Sequence, residues 1–134
     1  MSLYKTYKTN DSLEKEGALI EVAEGVKMRI ARAGGTNTRF GKLLTERMKP
    51  HRRQMESGTL DDKVADRIIH EIYAETVILG WEGVTDQNDK PLEYSRENCI
   101  KLLNDLPDLF REIQEHATKL ENFRQAALEE DAKN

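Results

Sequence analysis

The side chains best equipped for chemistry in this sequence are three histidines, one cysteine, a short acidic loop and a pair of glycines. His51, His70 and His116 fall on different predicted segments, and none belongs to a His-Glu-x-x-His pair or another metal-ligand spacing. His70 and Glu71 are neighbours on a predicted helix, where adjacent side chains point about 100° apart and do not converge. Surface or packing roles are expected for all three histidines. Cys99 is the single cysteine, so no intramolecular disulfide can form, and no Cys or His stands near it at zinc-ligand spacing. On a predicted amphipathic helix beside Ile100 it should act as a small hydrophobe rather than a nucleophile. Asp86-Gln87-Asn88-Asp89-Lys90-Pro91 superficially resembles a calcium loop. Lys90, however, stands where the fifth-position oxygen ligand belongs, and Pro91 takes the place of the required glycine. Gly34-Gly35 before a helix can cradle a phosphate on backbone N–H groups, but no Lys-Ser or Lys-Thr follows. The expectation is a protein that is not an enzyme and that has no metal and no cofactor.

The elements that would position these groups read mainly as helices. Residues 1–16 are poor in apolar side chains and are expected to be a mobile N-terminal arm. Over Ala18–Arg32, apolar residues alternate with polar ones on both sides of Glu24-Gly25, which predicts a β-hairpin with Val26, Met28 and Ile30 facing inward. Thr36 or Asn37 can cap a helix carrying Phe40, Leu43, Leu44 and Met48, which must end before Pro50. From Leu60 to Leu79 apolar positions recur at intervals of three and four, predicting a central helix with Gly80 as its C-cap. Trp81 should anchor the start of a loop that runs to Tyr94. Ser95 can cap the next helix, and Pro107 suits the first turn of another that holds Leu109, Phe110, Ile113 and Ala117. The expected architecture is mainly α, with four to five helices around the central helix and a small hairpin at the edge. It forms a single domain over residues 17–128 with a frayed tail at 129–134. The core anchors are expected to be Ile68, Ile72, Val77, Trp81, Leu109 and Phe110.

Charge is divided unevenly along the chain. Residues 1–56 hold 12 Lys and Arg against 7 Asp and Glu, whereas residues 57–134 hold 9 against 18. An acidic half repels phosphates within a Debye length of about 8 Å, so the whole chain is better suited to a protein partner than to nucleic acid. The densest basic cluster, Arg39, Lys42, Arg47, Lys49, Arg52 and Arg53, is the candidate partner-binding surface. With only Phe40 interleaved, stacking on exposed bases is not indicated. No stretch approaches the roughly 18 apolar residues of a membrane-spanning helix, and the first residues lack the apolar run of a signal peptide, so no membrane partner is expected.

Several blocks, in order, resemble the tail assembly chaperones of lambda-like long-tailed bacteriophages. They are Ile30-Ala31-Arg32-Ala33-Gly34-Gly35 with Asn37 and Phe40, then Tyr73-Ala74-Glu75, then Leu79-Gly80-Trp81-Glu82-Gly83-Val84-Thr85-Asp86. Pro91-Leu92, Tyr94-Ser95, Glu97-Asn98, Leu106-Pro107-Asp108-Leu109-Phe110 and Asn122-Phe123-Arg124 continue the series. No single block is a catalytic signature, and their order and spacing carry the match. The resemblance implies a protein of the host bacterial cytoplasm that is absent from the finished virion. It would bind the tape measure protein and help recruit tail tube protein, and the sequence leaves self-association open. Members commonly occur in two lengths through a translational frameshift, and Ala132-Lys133-Asn134 is compatible with a slippery codon run. The alternative expectation is a small nucleic-acid-binding regulator that uses residues 39–53.

Overall fold

A computed structural model describes residues 2–126 of the chain. Two short helices come first, α1 (Leu3–Tyr7) and α2 (Asp11–Glu16), followed by the hairpin strands β1 (Ala18–Ala23) and β2 (Val26–Ile30). Helix α3 (Thr38–Met48) leads through a 3-10 turn at Lys49–His51 into α4 (Arg52–Ser57), and α5 (Asp62–Thr76) runs directly into β3 (Ile78–Glu82). Helices α6 (Arg96–Asp105) and α7 (Pro107–Thr118) complete the described elements, with a 3-10 turn at Leu120–Asn122.

The mainly α expectation, with a hairpin alone at the edge, is overturned by β3. The strands form one antiparallel sheet in the order β1-β2-β3, so the fold is mixed α and β. The predicted central helix begins at Asp62 and ends at Thr76, short of Leu79, and Gly80 lies within a strand instead of capping a helix. The reason is local. Thr76, Val77 and Ile78 are consecutive β-branched residues whose side-chain rotamers crowd a helix and suit a pleated strand. The apolar rhythm that continues past Thr76 matches both periods, and pairing with β2 decides between them. Thr76 turns its hydroxyl back to the carbonyl of Ile72 (2.7 Å), and the carbonyl of Val77 accepts the N–H of Ala31 (2.8 Å).

Alternation on β2 sends Met28 and Ile30 into the core and leaves Lys27 and Arg29 outside. On the outer face the register sets Lys27 between Glu21 of β1 and Glu82 of β3, an arrangement of opposite charges that stabilises neighbouring strands. On the inner face Met28 and Ile30 meet Tyr73, Ala74, Val77 and Ile78 from the α5–β3 segment, with Leu103 and Cys99 from α6 and Phe110, Ile113 and Ala117 from α7. Tyr73 and Phe110 meet edge to face at 5.0 Å between ring centroids. Of the expected anchors, Ile68, Ile72, Val77 and Phe110 are buried, while Trp81 and Leu109 are half-buried against the core.

The segment read as an arm is helical over α1 and α2, and α2 is fastened by a buried carboxylate. Glu14 receives the Arg32 guanidinium at 2.6 Å, the Thr36 hydroxyl at 2.6 Å and the Thr36 N–H at 2.7 Å. A Cβ on Gly35 would fall within 2.8 Å of that carboxylate, so the glycine, at φ +55°, is needed for both conformation and space. Thr36 therefore does not cap α3. Asn37 precedes the helix, but its amide donates instead to the carbonyls of Arg32 (2.8 Å) and Thr76 (2.9 Å). Residues 8–10 also pair with residues 123–125. Thr9 bridges Arg124, Asn10 N–H donates to the carbonyl of Phe123 and Gln125 N–H to that of Lys8. The tail expected over 129–134 lies outside the described residues.

Burial raises the pKa of the Glu14 carboxyl, but hydrogen bonds from Thr36, Thr9 and Arg32 outweigh it and hold the group at about 2 instead of 4.5. A pKa lowered in the folded state gives stability that is complete above the unfolded value and is lost as pH falls towards the folded one. That contribution should be about 3 kcal/mol at neutral pH. Urea unfolding followed from about pH 5 down to about pH 2 should show this loss, and Glu14→Gln should start less stable and respond more weakly over the same interval. Parallel profiles for parent and variant would contradict the assignment.

Candidate functional site

The basic residues singled out in the sequence lie along α3, the 3-10 turn and α4, and they differ in exposure and partners. Arg39, Lys42, Lys49, Arg52 and Arg53 are exposed. Arg52 is within 3.4 Å of Glu56 on its own helix. Arg47 turns inward to α5, where it reaches Glu75 at 2.9 Å and Glu71 at 3.4 Å. Glu75 also meets Arg96 at 2.8 Å, so this pair of α5 carboxylates ties α3 to the start of α6. Arg47 therefore serves packing between helices, and the exposed cations on either side of it are spread over three elements.

The groups with chemical potential are occupied by structure. Cys99 is buried against the core, and burial pushes its thiol up to about 12, leaving no thiolate at neutral pH. His70 hydrogen-bonds Asn104 and meets the Phe110 ring at 4.5 Å. His116 approaches Glu112 one turn away, at 3.7 Å. Among the described residues no three His, Cys, Asp or Glu side chains gather to hold a metal ion, and no helix is long and apolar enough to cross a membrane.

A concave apolar surface lies where the loop after β3 meets α6. The loop is well braced. Asp86 accepts at one carboxylate oxygen from the N–H of Asn88 (2.8 Å) and of Lys90 (3.1 Å), and Asp86 N–H donates to the carbonyl of Lys90 (2.8 Å). This turn lets Thr85 pair with Pro91 and Leu92 N–H reach the carbonyl of Val84 (2.9 Å). Trp81 donates its indole N–H to the carbonyl of Leu92 (2.8 Å) and packs edge to face on Tyr94 at 5.1 Å. Tyr94 donates its hydroxyl to the carbonyl of Ile78 (2.6 Å), which fixes the loop's return to β3. Ser95 then caps α6 by accepting the N–H of Asn98 (3.0 Å).

The result is a groove of about 280 Å³ whose apolar lining includes Leu92, Leu102 and Leu106 and whose charged lining is Asp86, Lys101 and Asp105. Leu106 stands between α6 and α7 and is 47% exposed. The groove can hold one or two large apolar side chains while charged groups at its margin meet polar ones, which suits an amphipathic segment. Sequence reasoning placed a helix after Ser95 but missed the groove. Its visible signals are a lone Leu92 within a polar loop and a Leu106 that directly precedes a helix-starting proline.

A family model described as YdaY prophage protein matches residues 35–134, a span that includes every residue lining the groove, and the chain belongs to that phage-derived family. No curated protein and no solved structure matches the chain.

Because Trp81 holds Leu92 in place, its loss should loosen the groove as well as the fold. Trp81→Ala should cost about 3 kcal/mol, at the low end for a large aromatic because the ring is only half-buried. Trp81→Phe, which keeps a ring but removes the indole N–H, should cost less and still speed hydrogen exchange at the Leu92 N–H. Unchanged exchange in the Phe variant would show that the loop is held by its own turn alone.

Proposed function

We propose that this member of the YdaY prophage protein family is a tail assembly chaperone. In this reading it covers helical stretches of the tape measure protein in the host cytoplasm, helps recruit tail tube protein around it, and is left out of the finished virion. The observation that carries the reading is the ordered series of blocks between Ile30 and Arg124 that resembles lambda-like tail assembly chaperones, in a chain of prophage origin. The α6 groove supports it. A tape measure protein has long amphipathic helices that aggregate when bare, and an apolar recess with charged margins can seat successive apolar side chains of such a helix. Such binding must be moderate, because tube subunits have to displace the chaperone. A longer frameshift product would carry the same groove and add a second contact, gaining avidity through effective concentration.

Co-expression with the tape measure protein of the same prophage should keep that protein soluble and co-purify it with the chain. Leu106→Glu should reduce capture without loss of fold, since Leu106 is substantially exposed. A tape measure protein that stays insoluble and uncaptured would refute the proposal. A titration with random-sequence DNA at physiological salt should show essentially no binding. Micromolar, steeply salt-dependent binding would favour a nucleic-acid role for residues 39–53 instead.

A further inference from the structure

We propose that helix α1 of one copy of this chain docks in the α6 groove of a second copy. The most exposed large apolar side chains in the described structure gather on α1, with Leu3, Tyr4 and Tyr7 at 74%, 80% and 62% exposure. Leu3 and Tyr4 lie four and three residues before Tyr7, so both meet it across one helical turn and the three form a single apolar strip. The helix is held out by the body of the protein. Ser2 caps its start by accepting the Tyr4 N–H (3.2 Å), and Gln125 N–H donates to the Lys8 carbonyl (2.9 Å) just beyond its end. Tyr4, Lys5 and Lys8 lie beside Gln125 and Ala126, a set that shares no residue with the lining of the groove of their own chain.

Charge selects the occupant. Between residues 2 and 9 the chain carries Lys5 and Lys8 and no acidic residue. The groove offers Asp86 and Asp105 against a single cation, Lys101. An apolar strip flanked by two ammonium groups therefore fits a leucine-lined recess with a net acidic margin, and both parts belong to the same polypeptide. Each copy supplies one strip and one groove at different places on its surface, so the contact passes from copy to copy and assembly continues until it closes or is capped. This rests on the groove being the client-binding recess described above, but not on the identity of the client. A client helix and a neighbour's α1 would compete for the same place.

Sedimentation velocity on the purified chain, with no client present, tests the contact. The parent should self-associate as its concentration rises. Tyr4→Asp with Tyr7→Asp in one variant, and Leu106→Glu in another, should each weaken association by roughly tenfold or more with the circular dichroism unchanged, as expected for exposed anchor residues. An equimolar mixture of the two variants retains one intact strip and one intact groove, and should form heterodimers and nothing larger. If Leu106→Glu unfolds, Asp105→Lys on exposed α6 surface replaces it, and Lys5→Glu with Lys8→Glu in the other copy should restore pairing. A chain that stays monomeric at all concentrations would overturn the proposal. So would association indifferent to both variants, or variants that fail to pair with each other. Association that appears only after truncation at Ala126 would make the C-terminal residues of the same chain the occupant and would also overturn it. Capture of the tape measure protein by a chain that does not self-associate would leave the chaperone reading standing and remove this one alone.

Discussion

Between Thr76 and Ile78 the chain leaves a helix and enters a strand with no loop between them, and three separate segments are joined there. Val77 N–H closes the last turn of α5 on the Tyr73 carbonyl, while its own carbonyl accepts from Ala31 just beyond β2. The Asn37 amide, buried beside it, bonds to both the Arg32 and the Thr76 carbonyls. One junction thus sets the register of β3 on β2, the exit of the hairpin and the entry of α3. A hairpin alone is marginal in water, and the third strand together with the helices beneath it makes this one stable. The groove depends on the same junction, because β3 delivers Trp81, and Trp81 holds Leu92.

The charge asymmetry of the sequence is partly folded away. Lys27 sits between Glu21 and Glu82 on the outer face of the sheet, and Arg47 reaches from the basic half into the α5 carboxylates of the acidic half. The exposed pairs around Lys27 contribute little individually, typically ~0–1 kcal/mol. Their effect is on the surface field, since charges that are far apart in the sequence neutralise each other locally. The acidic margin at Asp86 and Asp105 and the basic stretch at Lys5 and Lys8 stay outside this cancellation.

The parts of the fold that were legible in the sequence are those in which local preference and tertiary packing agree. Alternation around Glu24-Gly25 gives the hairpin, Ser95 gives the start of α6, and Pro107 opens α7. The strand β3 was not legible because Val77, Ile78 and Leu79 continue a helical rhythm, and only a partner strand some fifty residues away turns them into a sheet. Glu14 was hidden for a related reason. A glutamate in a polar segment reads as solvated, and nothing nearby announces that Arg32 and Thr36 will enclose it. The candidate surface was hardest to read, because a groove between a loop and the helix that follows it depends on how the loop folds back, which turn residues alone do not announce, and density of charge drew attention to residues 39–53 instead.

The pairing of residues 8–10 with residues 123–125 has a consequence for synthesis. Contacts separated by almost the whole described chain cannot form until its last part has left the ribosome, and such long-range closure is slow compared with local helix and hairpin formation. The core from α2 to α7 can therefore assemble first, with residues 8–10 closing onto residues 123–125 as a final step. Glu14 need not wait for that step, because Arg32 and Thr36 lie only 18 and 22 residues from it. A nascent chain stalled late in translation would thus have its carboxylate site closed and lack only the seam between residues 8–10 and 123–125.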